Sequence, residues 1–77
     1  MPRAIVLMNI EMGSDKEVLS ALKKVSSVKE SYVVYGPYDV VATVESDSMD
    51  KLKEDVTWNI RRIDKVRSTL TLMYAEG

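Results

Sequence analysis

Seventy-seven residues amount to one domain, here with eleven Lys and Arg against twelve Asp and Glu, and with neither cysteine nor histidine. Domains this short have a thin stability margin and gain support from disulfides, a metal or association. The missing cysteine excludes the first route, and the missing histidine leaves only a carboxylate site for Mg²⁺ or Ca²⁺, for which no EF-hand spacing is present.

Association with other chains is therefore expected. Balanced charge gives no field to attract nucleic acid. No stretch approaches the roughly 20 apolar residues of a membrane span. The apolar run Ala4 to Met8 is short for a signal peptide, and no small-residue cleavage site follows it. A cytoplasmic protein without membrane or direct nucleic-acid partners is expected.

Arg3 to Glu11, rich in Ile, Val, Leu and Met, reads as a strand buried on both faces. Gly13-Ser14-Asp15 breaks the run, and Ser14 with Glu17 three residues on predicts a capping box. Val18, Leu22 and Val25 follow at helical spacing, widened by Leu19 and Ala21. The helix should end near Lys24, where Lys23 and Lys24 suit the dipole.

Val28 to Tyr35 predicts a second strand, with Tyr32 and Val34 on one face and Ser31, Val33 and Tyr35 on the other. Gly36-Pro37-Tyr38-Asp39 has loop composition. Val40 to Glu45 is a third strand, with Val40, Ala42 and Val44 sharing a face. Asp47 or Ser48 should cap a longer helix with the stripe Met49, Leu52, Val56, Ile60 and Ile63. Lys65 to Tyr74 is the last strand, in which Leu70, Leu72 and Tyr74 alternate with Thr69, Thr71 and Met73. Ala75 to Gly77 is a short tail.

The element order is β-α-β-β-α-β, and the halves align at an offset of 38 residues. Val18, Leu22, Val25, Val28, Tyr32 and Val34 fall on Val56, Ile60, Ile63, Val66, Leu70 and Leu72. Right-handed crossovers then give an α+β, ferredoxin-like fold: a four-stranded antiparallel sheet with both helices on one face, in one domain over 1–77.

The helix side is expected to take Val6, Met8, Tyr32, Val34, Val40, Ala42, Val44, Leu70 and Leu72. The open side would carry Ile5, Leu7, Asn9, Val33, Tyr35, Val41, Thr43, Thr69, Thr71 and Met73. A sheet face left to water should be mostly polar, so these apolar residues point to a contact surface and a homodimer. Burying each is worth roughly 1.5–3 kcal/mol, enough in sum to offset association entropy. Trp58 lies about 200° from Val56 around its helix, off the core stripe. It either rests on neighbouring aliphatic stems or marks an interface.

Little here suits catalysis. Without His or Cys the candidates are carboxylates, lysines and tyrosines, and no two carboxylates form an inward-facing pair. Glu45, Asp47 and Asp50 surround a helix N-terminus, where capping and dipole complementarity explain them. Arg61, Arg62, Lys65 and Arg67 read as compensation of the helix C-terminus, with an anion site as the weaker alternative. No Walker loop is present and Gly36 stands alone. No catalytic residue, metal ligand or cofactor is expected.

The segment Tyr35-Gly36-Pro37-Tyr38-Asp39 has other uses. Glycine allows positive φ and close approach of a ligand. Tyrosine offers a ring and a hydroxyl, Asp39 an acceptor for an ammonium group, and loop amides can hold a carboxylate. These are the parts needed to hold a zwitterion. They also suit an ordinary turn in which Asp39 caps loop amides.

The same segment, Tyr35-Gly36-Pro37-Tyr38-Asp39-Val40, and the ending Ile63-Asp64-Lys65-Val66-Arg67-Ser68-Thr69-Leu70-Thr71-Leu72 resemble the effector-binding domain (RAM, regulation of amino-acid metabolism) of Lrp/AsnC-type transcriptional regulators. The resemblance covers essentially the whole chain. It implies a homodimer whose sheets face each other and a higher oligomer, often a ring of four dimers (an octamer), with amino-acid effectors bound between dimers. Carried onto this sequence, it implies effector contacts from Gly36, Tyr38 and Asp39, with Ser68, Thr69 and Thr71 beside them. Pro37 removes one backbone N–H that a ligand carboxylate could use.

Full-length relatives carry a helix-turn-helix domain ahead of this module, whereas here the first strand starts within a few residues of Met1. The resemblance therefore implies a stand-alone sensing and assembly module that acts through itself or through full-length Lrp/AsnC regulators. Two alternatives stand beside it: a purely structural oligomerisation domain, and a small ferredoxin-like dimeric enzyme using Tyr35 or Tyr38 with Asp39.

Overall fold

The apolar periodicity of the chain is spent on one layered arrangement. The computed structural model describes residues 1–75; Glu76 and Gly77 of the expected tail lie outside the described residues. In chain order the elements are β1 (Arg3–Ile10), α1 (Asp15–Lys23), β2 (Val28–Val33), β3 (Val40–Glu45), α2 (Met49–Glu54) and β4 (Val66–Met73), with α2 continued by π-helical turns over Asp55–Ile60. The strands are antiparallel in the order β2-β3-β1-β4. This is the ferredoxin-like β-α-β-β-α-β fold that the periodicity predicts.

Val6 and Met8 of β1 and Val40, Ala42 and Val44 of β3 form the floor of the core. Val18 and Leu22 of α1, one turn apart, and Leu52, Val56 and Ile60 of the second helical segment close it. Val25 and Ile63 pack at its margin. Met49, expected in the stripe, is exposed instead.

Residues four apart on an α-helix overshoot a full turn by about 40°, so a Leu52-Val56-Ile60 stripe would drift off the sheet. The π-helical stretch, closed by Arg61 N–H donating to the Val56 carbonyl at 3.0 Å, adds a residue to the turn and cancels that drift. Sequence periodicity does not signal this widening. Trp58, on the outer side of the same stretch, is 58% exposed, and the Arg62 guanidinium lies 5.1 Å from its ring centroid.

The two helix starts differ. Ser48 caps α2 as expected, its hydroxyl accepting from Lys51 N–H at 3.1 Å. The capping box predicted for Ser14 and Glu17 does not form. The Ser14 hydroxyl donates to the Glu11 carbonyl at 2.6 Å, and the Ser14 N–H donates to the same oxygen at 3.2 Å. The Glu11–Ser14 turn, which passes through Gly13 at φ +81°, takes both donors.

The sheet faces correct the expected assignment. Residues directly paired across a ladder share a face. Leu70 pairs with Leu7, Leu72 with Ile5 and Tyr32 with Val41, so Tyr32, Leu70 and Leu72 lie on the open face. Thr69, Thr71 and Met73 pair with Met8, Val6 and Ala4 and turn to the helix side, as does Val33 opposite Val40.

The cause is a pair of β-bulges. In β2 the register steps from Val28 to Glu30 and leaves Lys29 extra; in β4 it steps from Val66 to Ser68 and leaves Arg67 extra. Each extra residue inverts the parity of the strand beyond it. The two bulges stand at the same 38-residue offset as the halves. The open face thus carries Ile5, Leu7, Tyr32, Val41, Leu70 and Leu72, with Asn9, Glu30, Thr43 and Ser68 beside them.

Candidate functional site

Asp39 fixes the loop after β2 to the end of β1. Its N–H donates to the Met8 carbonyl at 2.9 Å, and its own carbonyl accepts from Val34 N–H at 2.8 Å. Its carboxylate oxygen Oδ2 accepts from Ile10 N–H at 3.0 Å. A single aspartate therefore continues the ladder that β1 and β3 begin. Its other oxygen, Oδ1, makes no hydrogen bond among the described residues.

Gly36 has φ +138°, a conformation essentially reserved for glycine, while a Cβ built there meets nothing within 4 Å. The backbone, not crowding, demands the glycine. The half-buried Tyr38 sits two residues on, and Tyr35 is fully exposed at the loop's other side.

Beside this loop lies an open cleft of about 400 Å³. Its apolar wall is Ile10, Val33 and Val34. Its polar groups are Glu11 and Asp15 from the turn into α1, Asp39 from the loop, and Arg67 from β4. Arg67 is the extra residue of the β4 bulge, and bulges re-aim side chains in this way. The cleft thus has Asp39, with one carboxylate oxygen making no hydrogen bond among the described residues, and Arg67 in one lining.

The other sequence-predicted residues lie elsewhere. The Ser68 hydroxyl accepts from the Asn9 side-chain amide at 3.1 Å. Thr69 and Thr71 line a separate cleft of about 480 Å³ under the second helical segment, with Leu52, Val56 and Arg61. Of the six, only Asp39 lines the cleft beside the loop; Gly36 and Tyr38 adjoin it in the chain without lining that cleft, and Ser68, Thr69 and Thr71 lie outside it. The sequence pattern assigns Arg67 to helix compensation and does not single out Glu11 or Asp15. The available signal is a lone arginine entering an otherwise apolar and threonine-rich strand.

Among the described residues, no three His, Cys, Asp or Glu side chains converge as metal ligands would, and no helix is long and apolar enough to cross a membrane. Arg3 and Glu45 form an ion pair at 3.6 Å across β1 and β3. Tyr32 donates its phenol hydrogen to Glu30 at 3.0 Å. That bond, and then the carboxylate's charge, raises the phenol's pKa above its ordinary value.

This architecture has known counterparts. The chain is similar to FFRP-DM1, with 36% identity and a TM-score of 0.91, covering 96% of this chain and 99% of that one. A protein from Thermus thermophilus is 31% identical with a TM-score of 0.92, covering 100% and 96% of the two chains. A transcriptional regulator from Neisseria meningitidis, in complex with L-Met, shares the fold at 13% identity and a TM-score of 0.86. The match takes in 97% of this chain and 50% of the regulator. No curated protein sequence matches the chain. The family described as "Lrp/AsnC ligand binding domain" matches residues 3–76. A regulatory ligand-binding fold, matched over nearly its whole length, places this chain in the Lrp/AsnC ligand-binding domain family.

Proposed function

We propose that this protein is a stand-alone amino-acid-sensing and assembly module of the Lrp/AsnC family, working in the cytoplasm without catalysis. It binds a small effector, an amino acid, at a subunit interface. It acts by changing its own assembly or that of full-length regulators. The observation that carries this reading is the cleft lined by both Asp39, whose Oδ1 makes no hydrogen bond among the described residues, and Arg67, side chains of the two charges a zwitterion requires.

Assembly follows from the open face. Ile5, Leu7, Tyr32, Val41, Leu70 and Leu72 suit a homodimer formed sheet to sheet. A higher oligomer, a ring of dimers such as an octamer, then places the loop carrying Gly36, Tyr38 and Asp39 against a neighbour. Ser68, Thr69 and Thr71 contribute from another subunit, since one protomer keeps them apart. The L-Met bound to the Neisseria regulator supports an amino acid as the effector class. The stand-alone form is supported by relatives such as FFRP-DM1, of which this chain covers 99%.

Calorimetric titration of the folded oligomer with the twenty amino acids at millimolar concentration tests the reading. Heat with at least one is expected, together with a change in mass by light scattering. No heat with any of them overturns the sensing half.

A purely structural oligomerisation domain is the second reading, favoured by the hydrogen bond that already commits Asp39 to Ile10. It predicts assembly that ignores amino acids. The catalytic alternative would need a dry pocket for Tyr35 or Tyr38 with Asp39, but Tyr35 stands fully exposed and its cleft opens to solvent.

A further inference from the structure

Three buried side-chain oxygens have no hydrogen-bond partner among the described residues: Ser27 Oγ, Thr43 Oγ1 and Asp55 Oδ2. Ser27 and Asp55 line one and the same cleft, of about 170 Å³, which shares no lining residue with the cleft beside Asp39. A buried polar atom without a partner is costly, and in native proteins such an atom marks a bound water, ion or ligand.

The walls of this cleft are fixed. Ser27, in the turn from α1 into β2, is 5% exposed, and its carbonyl accepts from Glu45 N–H at 2.9 Å. Asp55 opens the π-helical stretch, a geometry frequent at functional sites. Its Oδ1 accepts from the Asn59 side-chain amide at 2.8 Å, and its Oδ2 is the atom left over. Lys29 and Lys51 complete the lining. Lys29 is the extra residue of the β2 bulge, which sets it off the ladder as the β4 bulge does Arg67. The ion pair found among the described residues, Arg3 with Glu45, engages neither lysine nor Asp55.

These groups select a chemistry. An ionised carboxylate only accepts, so whatever meets Asp55 Oδ2 must donate. An inorganic anion has no proton to give and meets a like charge there. A metal ion is opposed by the two lysines, and no three acids converge on it among the described residues. A guest with an N–H cation at one end and an anion at the other satisfies all four side chains. At about 30 Å³ for each water, the space suits a molecule of roughly five or six heavy atoms. Apart from Met1 the lining is charged or hydroxylic, so it offers nothing to an apolar side chain.

We propose that this cleft is a second binding site, for an amino acid with little or no side chain, glycine or alanine. The α-ammonium donates to Asp55 Oδ2 and Ser27 Oγ, and the carboxylate accepts from Lys29 and Lys51. The site uses neither the loop after β2 nor a second subunit, so it stands independently of the effector reading above.

The test is a series of ¹H–¹⁵N correlation spectra of the intact protein at low ionic strength, titrated with glycine, L-alanine, L-leucine, glycine betaine, methylamine and acetate. Glycine and alanine should shift the amides of Ser27, Lys29, Lys51 and Asp55. Glycine betaine keeps both charges and has no N–H, so at these amides it should bind at least about ten-fold more weakly. Methylamine and acetate, with one end each, and leucine, with its apolar side chain, should be weaker by at least as much. Asp55→Asn keeps the oxygen used by Asn59 and should weaken glycine about ten-fold; Ser27→Ala should weaken it about three-fold or more. Circular dichroism melts establish that both variants are folded.

Absence of shifts with glycine overturns the site. Shifts at Asp39 and Arg67 alone place glycine in the other cleft and overturn it too. The same shifts from sodium or magnesium chloride mean an ion only. Leucine or glycine betaine binding here as tightly as glycine, or undiminished binding by Asp55→Asn, refutes the assigned contacts and with them the proposal.

Discussion

Asp39 anchors Ile10 in this structure and is proposed to hold a ligand ammonium, and a pair of substitutions separates the two roles. Asp39→Ala removes the acceptor of Ile10 N–H, a bond of 3.0 Å in a half-buried setting. A hydrogen bond to a charged group contributes about 1.5–3 kcal/mol, and partial access of water to Ile10 places the expected cost near the lower end, about 1.5 kcal/mol. In a domain of this size each kcal/mol moves the melting temperature by about 4–8 °C, so Asp39→Ala should melt about 6–12 °C lower. Asp39→Asn keeps an oxygen for Ile10 and loses only the charge, so about 0.5–1 kcal/mol is expected.

Ligand binding should respond in the opposite proportion. Both variants lack the carboxylate proposed to hold the ammonium, and both should bind the effector at least about ten-fold more weakly. Urea denaturation at a fixed protomer concentration measures the first effect, because association otherwise shifts apparent stability. Calorimetry with the amino acid that gives heat with the parent protein measures the second. Asp39→Ala as stable as the parent refutes the anchoring argument. Asp39→Asn with undiminished affinity refutes the ammonium contact.

Three further outcomes are expected. Leu70 is 43% exposed in the protomer; covering that share contributes about 0.6–1.3 kcal/mol per copy, and twice that across a two-fold interface. Leu70→Lys should therefore weaken dimerisation by ten-fold or more, read by sedimentation on dilution, and an unchanged mass would exclude the open face as the interface. Ser48→Ala removes the acceptor of Lys51 N–H and should cost about 1 kcal/mol in urea melts. The raised pKa of Tyr32 means that the folded state favours the protonated phenol, so its contribution is present at neutral pH and lost as pH rises through the folded value. Glu30→Gln should bring that ionisation back toward the ordinary range, measured as the ultraviolet difference between parent and Tyr32→Phe.

Much of this protein is legible from local pattern. The order of elements follows from runs whose period changes between two and three to four residues, and the observed β3, Val40–Glu45, has the predicted bounds. Ser48 is readable as a cap because capping depends on neighbours three residues away. Gly36 is readable as a glycine needed by its backbone. Ser14 departs from its expected role because its hydroxyl chooses between two local partners, and the turn closing on Glu11 offers the nearer acceptor.

The candidate site is legible only in part. The loop Gly36 to Asp39 stands out by composition, but nothing local to Asp39 shows that Ile10, 29 residues earlier, uses one of its oxygens. Arg67 reaches the cleft through a bulge, which is a mismatch between two strands and has no residue-level signature in either. For the same reason the expected parity of β2 and β4 is inverted: the alternation is visible in the sequence, but which face meets the helices is not.

The fold class, the duplicated halves and the position of the loop are legible from the chain alone, because each is written in local periodicity and composition. That Leu70 and Leu72 join Ile5 and Leu7 on the open face, and that Arg67 shares a cleft with Asp39, emerges from strand pairing alone. Both depend on register between strands distant in sequence, and a single extra residue in a strand reverses every side chain beyond it.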